Sequence, residues 1–271
     1  MNRREFLEMG TLAALGAATG CRTCGGEPFA VNGIRIGVQM YSVDDLWKPD
    51  PAAAFRKLKA MGYDGVQSVH FFFQKLEELE KMLSDNGLVL VDMPFRNAFV
   101  APDRFNEFVE FCQRFKVDFV FQPNSKAKSA AEWRTFIDWL GELGEKFKPY
   151  GIRVGYHNHK YEFTDCFDGK RPIEMLRDAS IPMELDVGHI KLVQNDPVEW
   201  LKQMKGRVPS IHAKPSGGNI IGGKEDVNDW KAIFAASASA GTKWAVVECE
   251  TRRNTYADIE ASMAYLKGLK G

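Results

Sequence analysis

The stretch IRVGYHNHKYEFTDCFDGKRPIEMLRDASIPMELD, residues 152–186, decides the fold of this chain. It contains a short β-type run at 152–157, a helical segment at 172–179 and a second β-type run at 182–186. Two strands joined through a helix predict a parallel pair with a right-handed crossover. A strand followed by a helix is therefore the unit that we expect along the rest of the chain.

The same alternation runs from residue 34 to the last helical segment. The predicted strands are 34–41, 65–68, 88–92, 117–122, 152–157, 182–186, 210–213 and 245–248. Eight strand–helix units in about 250 residues predict an α/β protein with a single-domain (β/α)8 TIM barrel. A doubly wound open sheet is the alternative, but it normally carries a glycine-rich turn after its first strand. This chain has Tyr41-Ser42-Val43-Asp44-Asp45 at that point.

The charge balance argues against a nucleic-acid partner. The chain has 271 residues, with 36 basic and 36 acidic side chains and a formal net charge of zero. Proteins that bind nucleic acid carry basic patches, which this composition does not favour. The five cysteines are widely spaced apart from Cys21 and Cys24, and no second CxxC completes a zinc site.

The first 28 residues differ from the rest and predict export. Asn2-Arg3-Arg4-Glu5-Phe6-Leu7 precedes an Ala/Gly-rich stretch, residues 9–20, and this order is typical of a twin-arginine signal peptide. Ala18-Thr19-Gly20-Cys21 then resembles a lipoprotein cleavage box, although Ala stands where Leu is usual. We therefore expect residues 29–271 to form the barrel, in the periplasm or on a membrane through a lipid on Cys21. A flexible N-terminal tail is the alternative interpretation.

Polar side chains follow the last four predicted strands. In a barrel of this type the carboxyl ends of the strands meet at one mouth, so these side chains converge. Nitrogen and oxygen ligands without thiolates favour Mn, Co, Zn or Mg. The predicted metal ligands are His157, His159, Asp186, His212 and Glu248. Taken singly, each has an ordinary structural interpretation, such as a loop cap at Asp186 or a core position at His212.

These segments also resemble a known family. Tyr156-His157-Asn158-His159, Leu185-Asp186-x-Gly188-His189, Ile211-His212-x-Lys214 and Val247-Glu248-x-Glu250, in this order, resemble the sugar phosphate isomerase/epimerase superfamily of xylose isomerase-like TIM barrels. The resemblance spans roughly residues 33–270. The Tyr-His-Asn-His form is similar to that of a bacterial exported subgroup.

The resemblance implies roles for several residues. Asp186, His212 and Glu248 match metal ligands, with Glu248 also a base, and His189 matches a substrate contact. Epimerase relatives carry a glutamate on strand five as ligand and second acid/base. This chain offers His157 and His159 there, with Glu162 further along as a substrate contact or displaced acid/base. Which of the three is the ligand stays open.

Three further residues are candidates from position alone. Lys214 is positioned to stabilise an enediolate or to protonate a leaving group. Tyr41 and His70 follow the first two strands and are candidate substrate contacts.

The leading hypothesis is a metal-dependent isomerase or epimerase that acts on an unphosphorylated sugar or keto-sugar through an enediolate. A 3-keto-glycoside eliminase or hydrolase at the same site is the alternative reaction. A metal-dependent endonuclease of this fold would need more than the five histidines present. A non-catalytic sugar-binding lipoprotein is the alternative of another class. Export argues against phosphosugars, although Arg252-Arg253 is a candidate phosphate clamp.

Overall fold

The computed structural model describes residues 28–250 and 255–269. The predicted export signal with Cys21, and the pair Arg252-Arg253, lie outside the described residues. The described strands are β1 Ala30–Val31, β2 Ile34–Gln39, β3 Gly65–Gln67, β4 Val89–Leu90, β5 Met93–Pro94, β6 Phe119–Gln122, β7 Arg153–His157, β8 Met183–Asp186, β9 Ser210–Ala213 and β10 Trp244–Val247. In the part of the chain that the structure covers, no helix has the length and apolar character needed to cross a membrane.

Helices follow the strands and form the outer layer. They are α1 Asp44–Trp47, α2 Pro51–Met61, α3 Leu76–Asn86, α4 Phe105–Arg114, α5 Ala130–Phe147, α6 Tyr161–Thr164, α7 Pro172–Asp178, α8 Val187–Leu192, α9 Pro197–Gln203, α10 Trp230–Ala240 and α11 Thr255–Gly268. Side-chain caps start several of them: Asp50, Ser129 and Asp229 each accept a backbone N–H at a helix N-terminus. Such caps satisfy amides that have no partner within the helix.

The strands form a nearly closed parallel barrel. Hydrogen bonding runs in the order β4, β3, β2, β10, β9, β8, β7, β6, β5, and β1 pairs with β2 in antiparallel fashion. The prediction of a (β/α)8 barrel is confirmed. The third predicted strand, 88–92, is instead two short pieces. Val91 still donates to Val66 on β3, whereas Phe95 donates to Phe121 on β6, so the chain changes partner at Asp92.

Small residues make room inside the barrel at two places. A Cβ on Gly155 would lie 2.3 Å from the Pro182 carbonyl oxygen and 2.6 Å from the Phe119 ring. A Cβ on Gly65 would lie 2.5 Å from Val91 Cγ2. Real Cβ atoms do not approach neighbours this closely, so both positions require glycine.

Register sets the level of the polar side chains. His157 is paired with Glu184, Glu184 with Ser210, and Asp186 with His212. Because neighbouring parallel strands lie about 4.8 Å apart, inward side chains at one level meet across the barrel. The polar residues near the strand ends therefore form one layer.

Candidate metal centre and substrate cavity

Three buried side chains converge at the carboxyl ends of β7, β8 and β9. They are His157, Asp186 and His212, and each offers a ligand atom within 4.8 Å of the other two. All three are at most 5% exposed. The structure thus brings together one carboxylate and two imidazoles from the predicted strand-end ligands.

Glu248 directly follows β10 and lies beside this group. Its carboxylate contacts His212 Nδ1 and accepts a hydrogen bond from the Tyr41 hydroxyl. Lys214 Nζ is 3.2 Å from Glu248 Oε1. Burial alone would raise the pKa of Glu248, but the charges of His212 and Lys214 hold it well below its usual range. Glu248 is therefore an anion with one neutral donor and two cationic neighbours.

A buried carboxylate touches both histidines of the group. Glu184 Oε2 is 3.1 Å from His157 Nδ1 and 3.1 Å from His212 Nε2. Gln67 Oε1 is a further partner of His212 Nε2 at 2.9 Å. The ring nitrogens left for a metal are therefore His157 Nε2 and His212 Nδ1. A carboxylate behind a ligating histidine is the usual way in which proteins fix its tautomer and orientation.

A network of polar side chains holds Glu184 in turn. Gln67 Nε2 donates to Glu184 Oε1 at 2.6 Å and to Asp92 Oδ1 at 2.5 Å. Ser210 Oγ donates to Asp92 Oδ2 at 2.6 Å. Burial raises the pKa of Asp92 above its usual value and the pKa of Glu184 well above it, although neighbouring donors and the His212 charge oppose both shifts. This network spans the barrel interior and fixes the orientation of Glu184.

His189 and Lys214 form a second polar pair at the mouth. Lys214 Nζ lies 3.0 Å from His189 Nε2 and also contacts the Glu250 carboxylate. An ammonium only donates, so Nε2 accepts and the imidazole proton sits on Nδ1. Burial, with the charges of Lys214 and His159, lowers the pKa of His189 to about 3, so the ring is neutral at pH 7. Its Nδ1 is buried without a hydrogen-bond partner among the described residues, which leaves one N–H for a ligand.

Lys214 keeps its charge in spite of burial. Burial lowers the pKa of Lys214, but the carboxylates of Asp186 and Glu248 outweigh it and raise the pKa above the usual value. A fixed ammonium beside a carboxylate supplies both a positive charge and a proton at one point of the site.

His159 and Glu162 occupy different positions from His157. The His159 ring lies 4.9 Å from the His157 ring and 5.0 Å from the His189 ring, centroid to centroid. Glu162 instead accepts from the Tyr156 hydroxyl at 2.6 Å and from the His159 backbone N–H at 2.7 Å. These contacts hold the turn after β7. The structure thus groups His157, rather than Glu162, with Asp186 and His212.

A cavity of about 1260 Å³ adjoins the polar group. Gln39, Tyr41 and His70 line one end of it, and His70 is exposed there. Tyr41 belongs to both regions, because its hydroxyl reaches Glu248 while its side chain lines the cavity. The candidate substrate contacts Tyr41 and His70 therefore share one cavity.

The group of His157, Asp186 and His212 fits a divalent ion. Asp186 Oδ2 and His212 Nδ1 are both buried; Asp186 Oδ2 has no hydrogen-bond partner in the described part of the chain, and His212 Nδ1 is in contact with the Glu248 carboxylate, which is itself a possible ligand. Buried polar atoms are normally satisfied, and a cation between them accounts for both. Two imidazole nitrogens and a carboxylate oxygen suit the predicted first-row metals better than a structural thiolate site does.

His157 and His212 differ in protonation state. Burial, followed by the charges of His212 and His159, lowers the pKa of His157 well below its usual value, so this ring is neutral. Burial also acts on His212, but the Glu184 and Glu248 carboxylates outweigh it and raise its pKa to about 10. A ligating imidazole must be neutral, so a metal competes with a proton at His212.

The sequence prediction missed several residues of the site. Glu184 lies on the same strand face as Asp186, and this spacing was the available signal. Gln67, Asp92 and Ser210 join Glu184 only through contacts between residues that are far apart in the chain, which no local pattern reveals. Glu250 has a half-exposed side chain but still contacts Lys214.

Comparison with known proteins finds matches at the level of family and of fold. The family model of the xylose isomerase-like TIM barrel matches residues 55–269. The inosose dehydratase of Clostridium beijerinckii is 24% identical over 114 residues. That match covers 41% of this chain but 37% of the relative, about a third of its length.

Solved structures show the same fold over most of the chain. A sugar phosphate isomerase/epimerase from Parabacteroides distasonis superposes with a TM-score of 0.72 at 23% identity, covering 89% of this chain and 95% of that one. The 3-keto-D-glucoside 4-epimerase of E. coli superposes with a TM-score of 0.66 at 14% identity, covering 87% and 99%. At these identities the likeness shows a shared fold.

Proposed function

Because this chain belongs to the xylose isomerase-like TIM barrel family, we propose that it is a divalent-metal-dependent enzyme of isomerase or epimerase type. Its proposed substrate is an unphosphorylated sugar or keto-sugar, which reacts through an enediolate. The observation that carries the proposal is the convergence of ligand atoms from His157, Asp186 and His212 beside a large cavity. The epimerase and dehydratase relatives support a sugar-modifying enzyme.

In this proposal His157, Asp186 and His212 hold the metal, with Glu248 close enough to join them. A bound divalent ion supplies polarisation of a carbonyl and an adjacent hydroxyl, which acidifies the carbon-bound proton between them. Glu184 keeps both imidazoles oriented toward the ion. His159 lies beside the ligands and remains a candidate for a further ligand or a substrate contact.

The acid–base work falls to Glu248 and its neighbours. The Glu248 carboxylate takes the carbon-bound proton, and the Tyr41 hydroxyl holds that carboxylate in place. Return of the proton to the neighbouring carbon, together with transfer of the hydroxyl proton to the former carbonyl oxygen, gives isomerisation. The Lys214 ammonium stabilises negative charge on the enediolate, and the free His189 N–H orients a substrate hydroxyl or carbonyl. Glu162 contributes by fixing the turn that carries His159.

Elimination is the second candidate reaction, and one contact favours it. Lys214 Nζ is 3.2 Å from Glu248 Oε1, so acid and base are adjacent. Glu248 removes the carbon-bound proton, the β-hydroxyl leaves as water with a proton from Lys214, and Glu248 then returns its proton to Lys214. Both groups end as they began. A histidine on β7 in place of a second carboxylate, and the inosose dehydratase relatives, support the same reaction.

Isotope exchange tests the proposal and separates the two reactions. The protein is stripped with EDTA, reloaded with Mn²⁺ and incubated in deuterium oxide with free ketoses and 3-keto-glycosides. Deuterium at carbon without bond cleavage supports isomerase or epimerase chemistry. Loss of water or release of an aglycone supports elimination. Metal-free protein and the Glu248→Gln variant are expected to show neither, and absence of exchange from every substrate would contradict both reactions.

The same variants separate an enzyme from a sugar-binding protein. If sugars bind equally well with and without EDTA, and Glu248→Gln changes nothing, a non-catalytic binding role replaces the proposal. Export remains part of the proposal, because an unphosphorylated substrate suits a periplasmic or lipid-anchored protein. Metabolic labelling with a radioactive fatty acid, compared between the wild type and Cys21→Ala, tests the lipid anchor.

A further inference from the structure

The cavity beside the metal group is larger than one sugar ring requires. Ligand cavities that enclose a drug-sized molecule measure about 300–1,000 Å³. This cavity measures about 1260 Å³, and none of the three grouped ligands lines it. A sugar that meets the metal group near Tyr41 would therefore leave much of the cavity empty.

The cavity extends away from the metal group, toward the outer helix layer. Its lining passes from Gln39 and Tyr41, at the end of β2, to Gln122 at the end of β6 and then to the N-terminal half of α5. The metal group lies on β7, β8 and β9, so the cavity occupies the other half of the barrel mouth. Tyr41 stands where the two halves meet.

Aromatic rings line the far end. Phe95, Phe136 and Trp139 all border the cavity, with the Trp139 ring 6.2 Å from Phe95 and 5.7 Å from Phe136. Phe136 and Trp139 are partly exposed although they sit on a helix that packs against the barrel. Partly exposed aromatic faces of this kind bind flat or ring-shaped ligands by stacking.

The rim of this far end is positively charged. Arg96, Lys126 and Lys128 line it and are exposed, and Glu132 is the acidic side chain among the lining residues. Within residues 28–250 and 255–269, no carboxylate lies at ion-pair distance from any of the three cations. An electropositive rim around an aromatic wall favours a ring that carries a negative charge.

We propose that the far end of the cavity is a subsite for a second ring, aromatic or sugar, that bears a carboxylate. The natural substrate is then an acidic glycoside rather than a free monosaccharide. The second ring stacks on Trp139, and its charge lies near Lys126 and Lys128. This inference rests on the proposed function for the position of the first ring, but it concerns binding and not the reaction.

The affinities of three glucosides, measured as binding without any reaction, test the subsite. The probes are methyl, phenyl and 4-carboxyphenyl β-D-glucopyranoside, measured by titration calorimetry with the Mn²⁺-loaded chain. We expect the phenyl glucoside to bind about 10-fold more tightly than the methyl glucoside, from burial and stacking of one ring. The carboxylate is expected to increase the affinity by a further factor of about 2 to 5, the range of an exposed ion pair.

Substitutions at Trp139 and at the two lysines separate the effect of ring stacking from the effect of the carboxylate. Trp139→Leu is expected to remove most of the phenyl preference, with circular dichroism to confirm the fold. The double change Lys126→Gln and Lys128→Gln is expected to remove only the carboxylate preference. Lys146→Gln, an exposed lysine elsewhere on α5, is the matched control and keeps both preferences. Equal affinity for all three glucosides, or no binding of any, would overturn the subsite. A phenyl preference without isotope exchange would leave the subsite in place and refute the reaction.

Discussion

Replacing Glu184 with glutamine is expected to weaken metal binding while the barrel stays folded. The Glu184 carboxylate accepts from one nitrogen of His157 and one of His212, at 3.1 Å each. Glutamine keeps the shape and one acceptor oxygen but cannot carry the negative charge that a bound cation favours on the Glu184 carboxyl group. Hydrogen bonds to a charged group contribute about 1.5–3 kcal/mol each, and neutral ones about 1 kcal/mol.

The loss of metal-binding free energy in Glu184→Gln is therefore about 1 kcal/mol for each of the two histidines, or about 2 kcal/mol in total. This corresponds to an increase of about 30-fold in the Kd for Mn²⁺. It falls inside the range of about 10- to 100-fold that is usual when a residue behind a metal ligand is changed. Gln67 also contacts His212 Nε2, so His212 keeps one partner and His157 loses more.

Competition calorimetry against a chelator measures the Kd, and thermal unfolding of the metal-free proteins measures the fold. Glu162→Gln is the matched control, since it is the same change at a buried glutamate whose contacts are Tyr156 and the His159 backbone. Its Kd is expected to stay within about threefold. Nitrogen-15 spectra of the metal-free wild type add an independent readout: His157 is expected to carry its proton on Nδ1. An Mn²⁺ affinity of Glu184→Gln within twofold of wild type would refute the reasoning.

Three further changes probe the ligands, the base and the packing. Asp186→Asn removes the ligand carboxylate and should weaken Mn²⁺ binding by more than about 100-fold in the same calorimetric assay, and an unchanged Kd would remove Asp186 from the site. Tyr41→Phe deletes the hydroxyl that holds Glu248 and should lower the rate of deuterium exchange about 5-fold, the value of one hydrogen bond, with Mn²⁺ affinity as the control that stays constant. Gly155→Ala places a methyl group 2.3 Å from the Pro182 carbonyl and should lower the free energy of unfolding by about 2–3 kcal/mol in urea titrations. A wild-type unfolding midpoint for that variant would show that the interior at β7 has more room than this packing allows.

Much of the barrel could be predicted because strands and helices have local periodicity. Predicted strand 210–213 coincides with β9, and predicted helix 172–179 overlaps α7. The third strand was harder, since its break depends on Val91 pairing with Val66 while Phe95 pairs with Phe121. Those partners lie far apart in the chain, and no local pattern encodes the change.

The residues of the site also divide into those that a local pattern predicts and those that depend on distant contacts. His157, Asp186 and His212 could be predicted because each lies at the end of a recognisable strand. Gln67 and Asp92 could not, because their importance comes from contacts across the barrel interior. Glu162 was a catalytic candidate because of its spacing after the histidines. In the structure its contacts hold the turn after β7.

The change of partner at Asp92 is a seam between β4 and β5, at the two ends of the hydrogen-bonded strand order. The strands β7, β8, β9, β10 and β2, which carry the metal group and lead to Glu248 and Tyr41, form one unbroken hydrogen-bonded run. The seam lies on the other side, next to the loops after β5 and β6 that border the far end of the cavity. Insertions or exchanged loops there can alter the shape of the bound molecule without shifting the reacting groups. For an engineer, the exposed positions within residues 96–104 and 123–129 are therefore the ones to randomise when a new substrate is wanted.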